Sequence, residues 1–443
     1  MKNTLLILFI LVSLIGEAQF VNELALDSNI YGANINDIEM ADMNNDGFLD
    51  VILANQTPNS GVSIYLNNTI GGFATENSIT TNSFVHKATN VGDFDLDGWM
   101  DIVAVSQGGQ LTVYKSNAGF SYSQVNIGTG LLSPSDVKTA DFNQDGWLDF
   151  VTVSGMSIDV FMNDSTGNFT QINVDDSTEY YCICTGDLNG DGYADIISGS
   201  GVIFTYINDG YGSFTRDTTN EMLVISIITE TELADIDSDG DLDLVLYYSN
   251  VVDKVDWFRN NGSGALTLAS TITSWANNIH DMSIGDIDGD NDPDLCLAYD
   301  QTSDLVWISN LGNGVFCELS IDSNVFYPKE TALGDLDNDG DLDLCFTKNN
   351  GAFYYLNQSL IAGIEVENSS TFSWFPNPSS GNLAIESSTQ GTLYIYDISG
   401  QLVMLNELNS GDSNIKLNLA NGQYILRFIN TYGISTSQLI ISK

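Results

Sequence analysis

Short apolar runs recur along the chain: VILA at 51, IVAVS at 102, FVTVS at 150, LVLYY at 244 and LCLAY at 295. Each is too short for a helix and too apolar for an exposed edge, so each predicts a buried strand. A second, alternating stretch follows and ends at an Asn, namely Asn67, Asn117, Asn163, Asn208, Asn260, Asn310 and Asn357. A Gly-rich turn then leads to Phe73, Phe120, Phe169, Phe214, Leu266 or Phe316, opening a further strand. With the extended segment ahead of each apolar run, the pattern predicts units of four strands.

A nonapeptide introduces every apolar run, and it occurs seven times, with first-Asp intervals of 51, 48, 46, 48, 51 and 49 residues. That period fits one four-stranded propeller blade. The seventh unit stops at Asn357 without a fourth strand, and a spare strand lies at the other end of the chain, where Phe20 precedes Asp42 by 22 residues. The equivalent aromatic or Leu positions precede the next first Asp by 18 to 21 residues. The N-terminal strand is therefore expected to complete blade seven, and such closure removes exposed sheet edges. The fold class predicted is all-β, a seven-bladed β-propeller closed by the N-terminal strand and followed by a small β-sandwich.

Positions 1, 3, 5 and 9 of the nonapeptide carry Asp or Asn in every copy. They are Asp42, Asn44, Asp46 and Asp50; Asp93, Asp95, Asp97 and Asp101; Asp141, Asn143, Asp145 and Asp149; and Asp187, Asn189, Asp191 and Asp195. The last three copies hold Asp235, Asp237, Asp239 and Asp243; Asp286, Asp288, Asp290 and Asp294; and Asp335, Asp337, Asp339 and Asp343. Alternating carboxylates around a sharp turn converge their oxygens, and a hard cation taking about 6 to 8 oxygen ligands suits such a cage. Ca²⁺, up to one ion per blade, is the expected cofactor. An EF-hand would need a Glu at position 12, where this chain has Leu53, Ala104, Thr152, Ser198, Leu246, Leu297 and Phe346.

These repeats resemble the FG-GAP or VCBS repeats of integrin-alpha-like seven-bladed propellers, over roughly residues 20 to 358. The resemblance implies that the loop joins the first two strands of each blade and holds calcium. Departures are Asn44, Asn143 and Asn189 at position 3, which lower the loop charge, and Asn291 in place of the loop Gly, with Pro293 beside it. Asn291 and Pro293 make the sixth loop the one that departs most from the family pattern.

The segment after a linker at 361–370 has a different composition. Short alternating stretches separated by Gly turns predict a second β domain over 371–443. PNPSSG at 376, YDISGQ at 396, NGQYILR at 421 and the terminal Lys443 are similar to the C-terminal sorting domain of type IX secretion cargo. That similarity implies the type IX secretion machinery as a partner and delivery to the medium or to the outer-membrane surface of a Gram-negative bacterium.

Charge and composition fit this picture. Lys and Arg number 12 against 59 Asp and Glu, a net charge of −47. Nearly half of the acid lies in the seven nonapeptides, and so acidic a surface disfavours nucleic acid and anionic lipid. Residues 1–18 combine Lys2, an apolar run from Leu5 to Ile15, and small Gly16 and Ala18, the pattern of a secretory signal. The propeller domain is then 19–360, and no later apolar run is long enough to span a membrane. Five cysteines, Cys182, Cys184, Cys296, Cys317 and Cys345, lack zinc-site spacing and read as small buried hydrophobes.

Two histidines, His86 and His280, fall before the loops of blades two and six, too far apart around a ring to act as an acid–base pair. No enzyme is predicted; a polysaccharide lyase or a structural part of a surface assembly are the alternatives. The expected function is calcium-dependent binding or adhesion to an extracellular protein or glycan. In a four-stranded meander the turns between blades lie opposite the metal loops, and they carry Tyr31, Phe84, Tyr180, Tyr181, Trp275, Phe326 and Tyr327. Of these, Tyr31, Phe84, Tyr180, Trp275 and Tyr327 are the candidate ligand anchors. The same aromatics would serve equally as caps on the propeller core, and their solvent exposure decides between the two.

Overall fold

The computed structural model describes residues 20–27, 35–55, 61–67, 72–74, 77–79, 85–117, 121–219, 221–223, 227–249, 253–274, 278–312, 314–348 and 351–357. In the C-terminal part it describes 372–375, 379, 382–387, 391–397, 402–417, 419, 422–430 and 433–441. The expected signal at 1–18, the linker at 361–370, and Tyr31, Phe84, Phe120 and Trp275 lie outside the described residues. Two compact units divide the chain, one of residues 18–358 and one holding 359–443.

The first unit is a propeller of seven antiparallel sheets. Blade one runs Ile35–Ala41, Asp50–Asn55, Val62–Tyr65 and Asn77–Ser78 from the axis outward. The axial strands of the other blades are His86–Gly92, Pro134–Ala140, Cys182–Gly186, Ile227–Ala234, Ile279–Gly285 and Pro328–Gly334. Each axial strand touches the next all the way round, the last touching the first. Blade seven borrows its outer strand from the N-terminus: Phe20–Asp27 pairs with Gly351–Asn357, Phe20 opposite Asn357. The ring thus closes as the 22-residue spacing requires.

Second strands such as Asp50–Asn55, Asp101–Ser106 and Asp149–Ser154 are buried along their whole length. They are sandwiched between neighbouring blades, which is why they read as continuous apolar runs. The second residue of every loop, Met43, Phe94, Phe142, Leu188, Ile236, Ile287 or Leu336, plugs the gap between blades and is at most 1% exposed. A fully buried side chain of this size contributes about 1.5–3 kcal/mol. Four glycines just before the loops make the close approach possible. A Cβ on Gly92, Gly186, Gly285 or Gly334 would lie 2.5 to 2.7 Å from Leu148, Leu242, Leu342 or Leu49 of the following blade.

Polar ties cross the same seams. The Asn ending the third strand donates its side-chain amide to the carbonyl of the second loop residue of the preceding blade: Asn163 to Phe94, Asn208 to Phe142, Asn260 to Leu188, Asn310 to Ile236 and Asn357 to Ile287, at 2.7 to 2.8 Å. Asn67 does the same to Leu336 at 2.6 Å, sealing blade one to blade seven. Blade two departs from the pattern read in the sequence. Ser116, not Asn117, occupies the structural position, as its backbone N–H donating to Asp101 shows. Asn117 lies one residue further on and is exposed.

The cysteines are free; four are buried as small hydrophobes, while Cys317 is exposed. Both histidines lie on axial strands rather than in loops, His86 buried with Nε2 3.1 Å from the Tyr114 hydroxyl. The C-terminal unit has two sheets, Phe372–Phe375, Asn382–Ser387 and Gly411–Lys416 in one, and Gly391–Asp397, Leu402–Leu408, Gly422–Asn430 and Gly433–Ile441 in the other. Both supply one apolar cluster that includes Leu383, Ile385, Leu393, Ile395 and Leu426.

The seam ties give a direct expectation. Asn310→Ala leaves the buried carbonyl of Ile236 without its donor and should cost about 1–3 kcal/mol in denaturant unfolding. Ser116→Asn should raise stability by restoring the missing tie, and a loss of stability there would refute the equivalence of the positions.

Candidate metal loops

Each nonapeptide connects the axial strand to the second strand of its blade, as in Ala41 to Asp50. The first carboxylate organises the turn: Asp42 accepts from the N–H groups of Asp46 at 3.1 Å and Gly47 at 2.8 Å, and Asp46 accepts from Phe48 at 3.0 Å. The pattern repeats in the last loop, where Asp335 accepts from Asp339 and Gly340, and Asp339 from Asp341. Position 6 has φ of 88° to 97° wherever it is Gly, a region costly for side chains. Asn291 takes φ 71° there, and its N–H still donates to Asp286 at 2.9 Å. Asn tolerates this conformation, so the sixth loop keeps the shape of the others.

The loops also hold one another. Asn45 donates to the carbonyl of Gly98 at 2.6 Å, Ser238 to Asp292 at 3.1 Å and Asn338 to the carbonyl of Gly47 at 2.9 Å, while Gln144 bonds the carbonyl of Gly192. The turns between third and fourth strands lie on this same face, with Gly262 against Asp241 and Gly312 against Asp292.

The loops divide by their third residue. In loops two, five, six and seven, three carboxylates offer oxygens within 4.8 Å of one another: Asp93, Asp95 and Asp101; Asp235, Asp237 and Asp239; Asp286, Asp288 and Asp290; and Asp335, Asp337 and Asp339. In each of these, the third residue has a buried oxygen with no hydrogen-bond partner, on Asp95, Asp237, Asp288 and Asp337, and both oxygens of Asp288 are so placed. In loops three and four, Asn143 and Asn189 instead donate to Asp145 and Asp191 at 3.0 Å. In loop one, Asn44 accepts from the N–H of Asp46 at 2.8 Å. The Asn loops satisfy themselves; the Asp loops leave oxygens bare. Such oxygens fit a hard cation, which supplies the positive charge that no donor provides.

The ninth carboxylate is fully buried in all seven copies. Asp50 accepts from Met43 N–H at 2.9 Å on one oxygen and from Asn67 N–H at 2.8 Å on the other. Burial pushes the carboxyls of Asp50, Asp101, Asp149, Asp294 and Asp343 up to about 7, and those of Asp195 and Asp243 to about 6. Asp288 rises to about 7 through burial and its neighbours Asp290 and Asp286.

A second acidic group was not singled out in the sequence. Five residues before the first loop Asp stand Asp37, Asp136, Glu230, Asp281 and Glu330, and three before it Glu39, Lys138 and Glu232. These sit on the axial strands and meet near the axis, where Lys138 Nζ of blade three is 4.0 Å from Glu232 Oε1 of blade five. Asp37 and Asp281 also bind the next blade, accepting from the N–H and hydroxyl of Thr89 and of Thr331 at 2.6 to 2.8 Å. Burial raises Asp37 to about 6, and burial with the charge of Asp37 raises Glu39 to about 8. Burial alone would lower the Lys138 ammonium, but Glu232, Asp136, Glu39 and Asp37 carry it well above its usual range. The signal in the sequence was the register to the first Asp, visible only once the repeats are stacked.

On the opposite face the candidate anchors separate. Tyr180 is 1% exposed, its hydroxyl 2.8 Å from that of Tyr206 and its ring edge-on to Phe204, so it caps the core and does not face solvent. Tyr327 is 49% exposed and Phe326 72%.

A ring of four-stranded blades whose carboxylate loops crowd one face defines the class: an Asp-loop β-propeller. The FG-GAP-like repeat family matches residues 42–104, 93–152, 141–198, 235–297 and 286–346, spans that together include all seven loops. The chain belongs to that family. Residues 373–442 match the secretion system C-terminal sorting domain, which implies handling by the type IX machinery and export to the surface or medium. No curated protein matches the sequence significantly. Among solved structures, the chain is similar to an Agrocybe aegerita lectin described as specific for non-reducing terminal N-acetylglucosamine, with 18% identity, TM-score 0.51, 73% of this chain and 87% of the lectin covered. It is also similar to BBS1N crystallised with ARL6DN and soaked with mercury, at 12% identity and TM-score 0.57, over 79% of this chain and 99% of that one. At such identities these likenesses speak for the fold alone.

The raised carboxyls set the sign of the pH dependence. With folded values of about 6 to 8 against unfolded values near 4, the native state holds more protons across that window, so stability falls as pH rises through it. Metal-free protein should therefore melt at higher temperature near pH 5 than near pH 8. A flat or rising profile in calorimetry would contradict the assignment.

Proposed function

We propose that this exported propeller is a calcium-stabilised binding module, which presents the face opposite its carboxylate loops to an extracellular protein or glycan. The bare, converging oxygens of loops two, five, six and seven are the observation that carries the calcium reading. A bound Ca²⁺ would supply the charge that offsets the crowded carboxylates. Asp288 and Asp337 would hold it with their unpartnered oxygens, the first and fifth carboxylates completing the cage. Loops one, three and four would bind more weakly, because their third residues are neutral and already engaged.

The binding role rests on the other face. Phe326 and Tyr327 stand exposed in the turn between blades six and seven, and Tyr327 holds φ 53°, a conformation costing about 1–3 kcal/mol for a bulky residue. Exposed aromatics on a rigid scaffold suit sugar faces and protein hot spots. The propeller shared with a lectin favours testing glycans first. In this reading residues 1–18 are the secretory signal, the host is a Gram-negative bacterium, and no catalytic step is assigned.

Three outcomes are expected. Saturating calcium should raise the melting temperature over EDTA by the equivalent of about 2.7 kcal/mol at a hundredfold excess over Kd, and coincident curves would exclude structural calcium. Asp288→Asn and Asp337→Asn should each remove one tight site in isothermal titration. On a glycan array or in a pull-down, Tyr327→Ala should weaken whatever ligand binds while leaving the melting temperature nearly unchanged; unaltered affinity would reject this face.

A further inference from the structure

One position in the third strand reaches the loop of its own blade where it carries a basic residue. It precedes the terminal Asn or Ser, and it is Leu66, Lys115, Met162, Ile207, Arg259, Ser309 and Leu356 in blades one to seven. In blade five, Arg259 Nε lies 2.7 Å from Asp237 Oδ2 and Nη2 lies 2.6 Å from Asp239 Oδ2. The guanidinium bridges the third and fifth loop residues, two of the three whose oxygens converge there. Loops six and seven carry five acids each, as loop five does, yet among the described residues no ion pair reaches their third and fifth positions, Asp288, Asp290, Asp337 and Asp339, and Ser309 and Leu356 stand where Arg259 does. Lys115 makes a single, longer approach to Asp95 in blade two, at 3.5 Å.

Two features argue that the guanidinium holds a cation's place. Asp237 is 9% exposed, and its other oxygen, Oδ1, remains buried without a partner, so the arginine fork leaves unmet the demand a metal would meet. The arginine side chain is itself 49% exposed and can swing into water without opening the core.

We propose that Arg259 is the resident cation of loop five, a tethered competitor that must be displaced before a divalent ion enters. The inference rests on the calcium reading above and refines it: loops six and seven fill first, and loop five fills only at higher calcium. A guanidinium and Ca²⁺ cannot share Asp237 Oδ2 and Asp239 Oδ2 without close like-charge contact, and the tether keeps the competitor at high local concentration. Arginine stays charged at all relevant pH, so this competition does not depend on pH.

The test is calcium titration of the full chain by calorimetry at pH 8, with terbium luminescence as a second readout. Arg259→Ala should tighten one site on the order of tenfold and leave the rest unchanged. Arg259→Lys should fall between, since an ammonium lacks the planar fork, and it keeps the test decisive if the alanine variant folds poorly. Adding Asp239→Asn to Arg259→Ala should abolish the gained site, placing it in loop five. If the wild-type chain binds calcium and neither Arg259 variant changes number or affinity, or the gain survives Asp239→Asn, this inference falls and the calcium reading stands. If neither wild type nor variants bind calcium, both fall.

Discussion

At the ninth position of every loop a carboxylate is held out of water with its two oxygens committed to donors from different segments. In six blades one oxygen accepts the N–H of the second loop residue and the other the N–H that ends the third strand, as Asp343 does for Leu336 and Asn357. In blade five Trp257 Nε1 replaces the loop donor on Asp243. Burying a charge is costly unless it is fully bonded, so this single residue obliges loop, second strand and third strand to stay in one register. In those six blades the second loop residue, pinned by the same bond, is the apolar plug between blades, and outside blade one, whose neighbour has Ser116 there, its carbonyl receives the Asn of the next blade. Carboxylate loop, core and seam therefore share one anchor.

That sharing explains why acid is concentrated where it is. Each loop presents oxygens outward while its ninth carboxylate is buried inward, and burial alone moves those inner groups toward neutrality. In the calcium reading proposed above, a cation on the loop and protons on the buried carboxyl would act on the same charge. Arg259 shows a third solution, a side chain lent to the loop by its own blade. The axial carboxylates form a separate acidic system, coupled around the ring through Lys138 and through bonds from Asp37 and Asp281 to neighbouring blades.

Identical repeats do not make identical blades. Gly92, Gly186, Gly285 and Gly334 admit a leucine from the following blade, whereas Ala140 and Ala234 precede blades whose equivalent residues are Ala194 and Pro293. Blade two lacks the Asn tie, and the fourth strand of blade one shortens to Asn77–Ser78. Such compensations keep the ring closed despite local variation.

The sequence by itself determined the blade number, the strand count, the closing role of Phe20–Asp27 and the loop carboxylates, because each depends on spacing along the chain and on local turn chemistry. It also marked the sorting segment. Register errors of one residue escaped it, as at Asn117 and Ser116, since both are small polar residues where the strand meets the turn and only the bond to Asp101 distinguishes them. Tertiary structure alone decided that Tyr180 is core while Phe326 and Tyr327 meet solvent, that Asp loops leave bare oxygens where Asn loops do not, and that Arg259 reaches loop five. Those outcomes depend on which side chains meet across strands and blades, and residues far apart in the chain become neighbours only when the ring is closed.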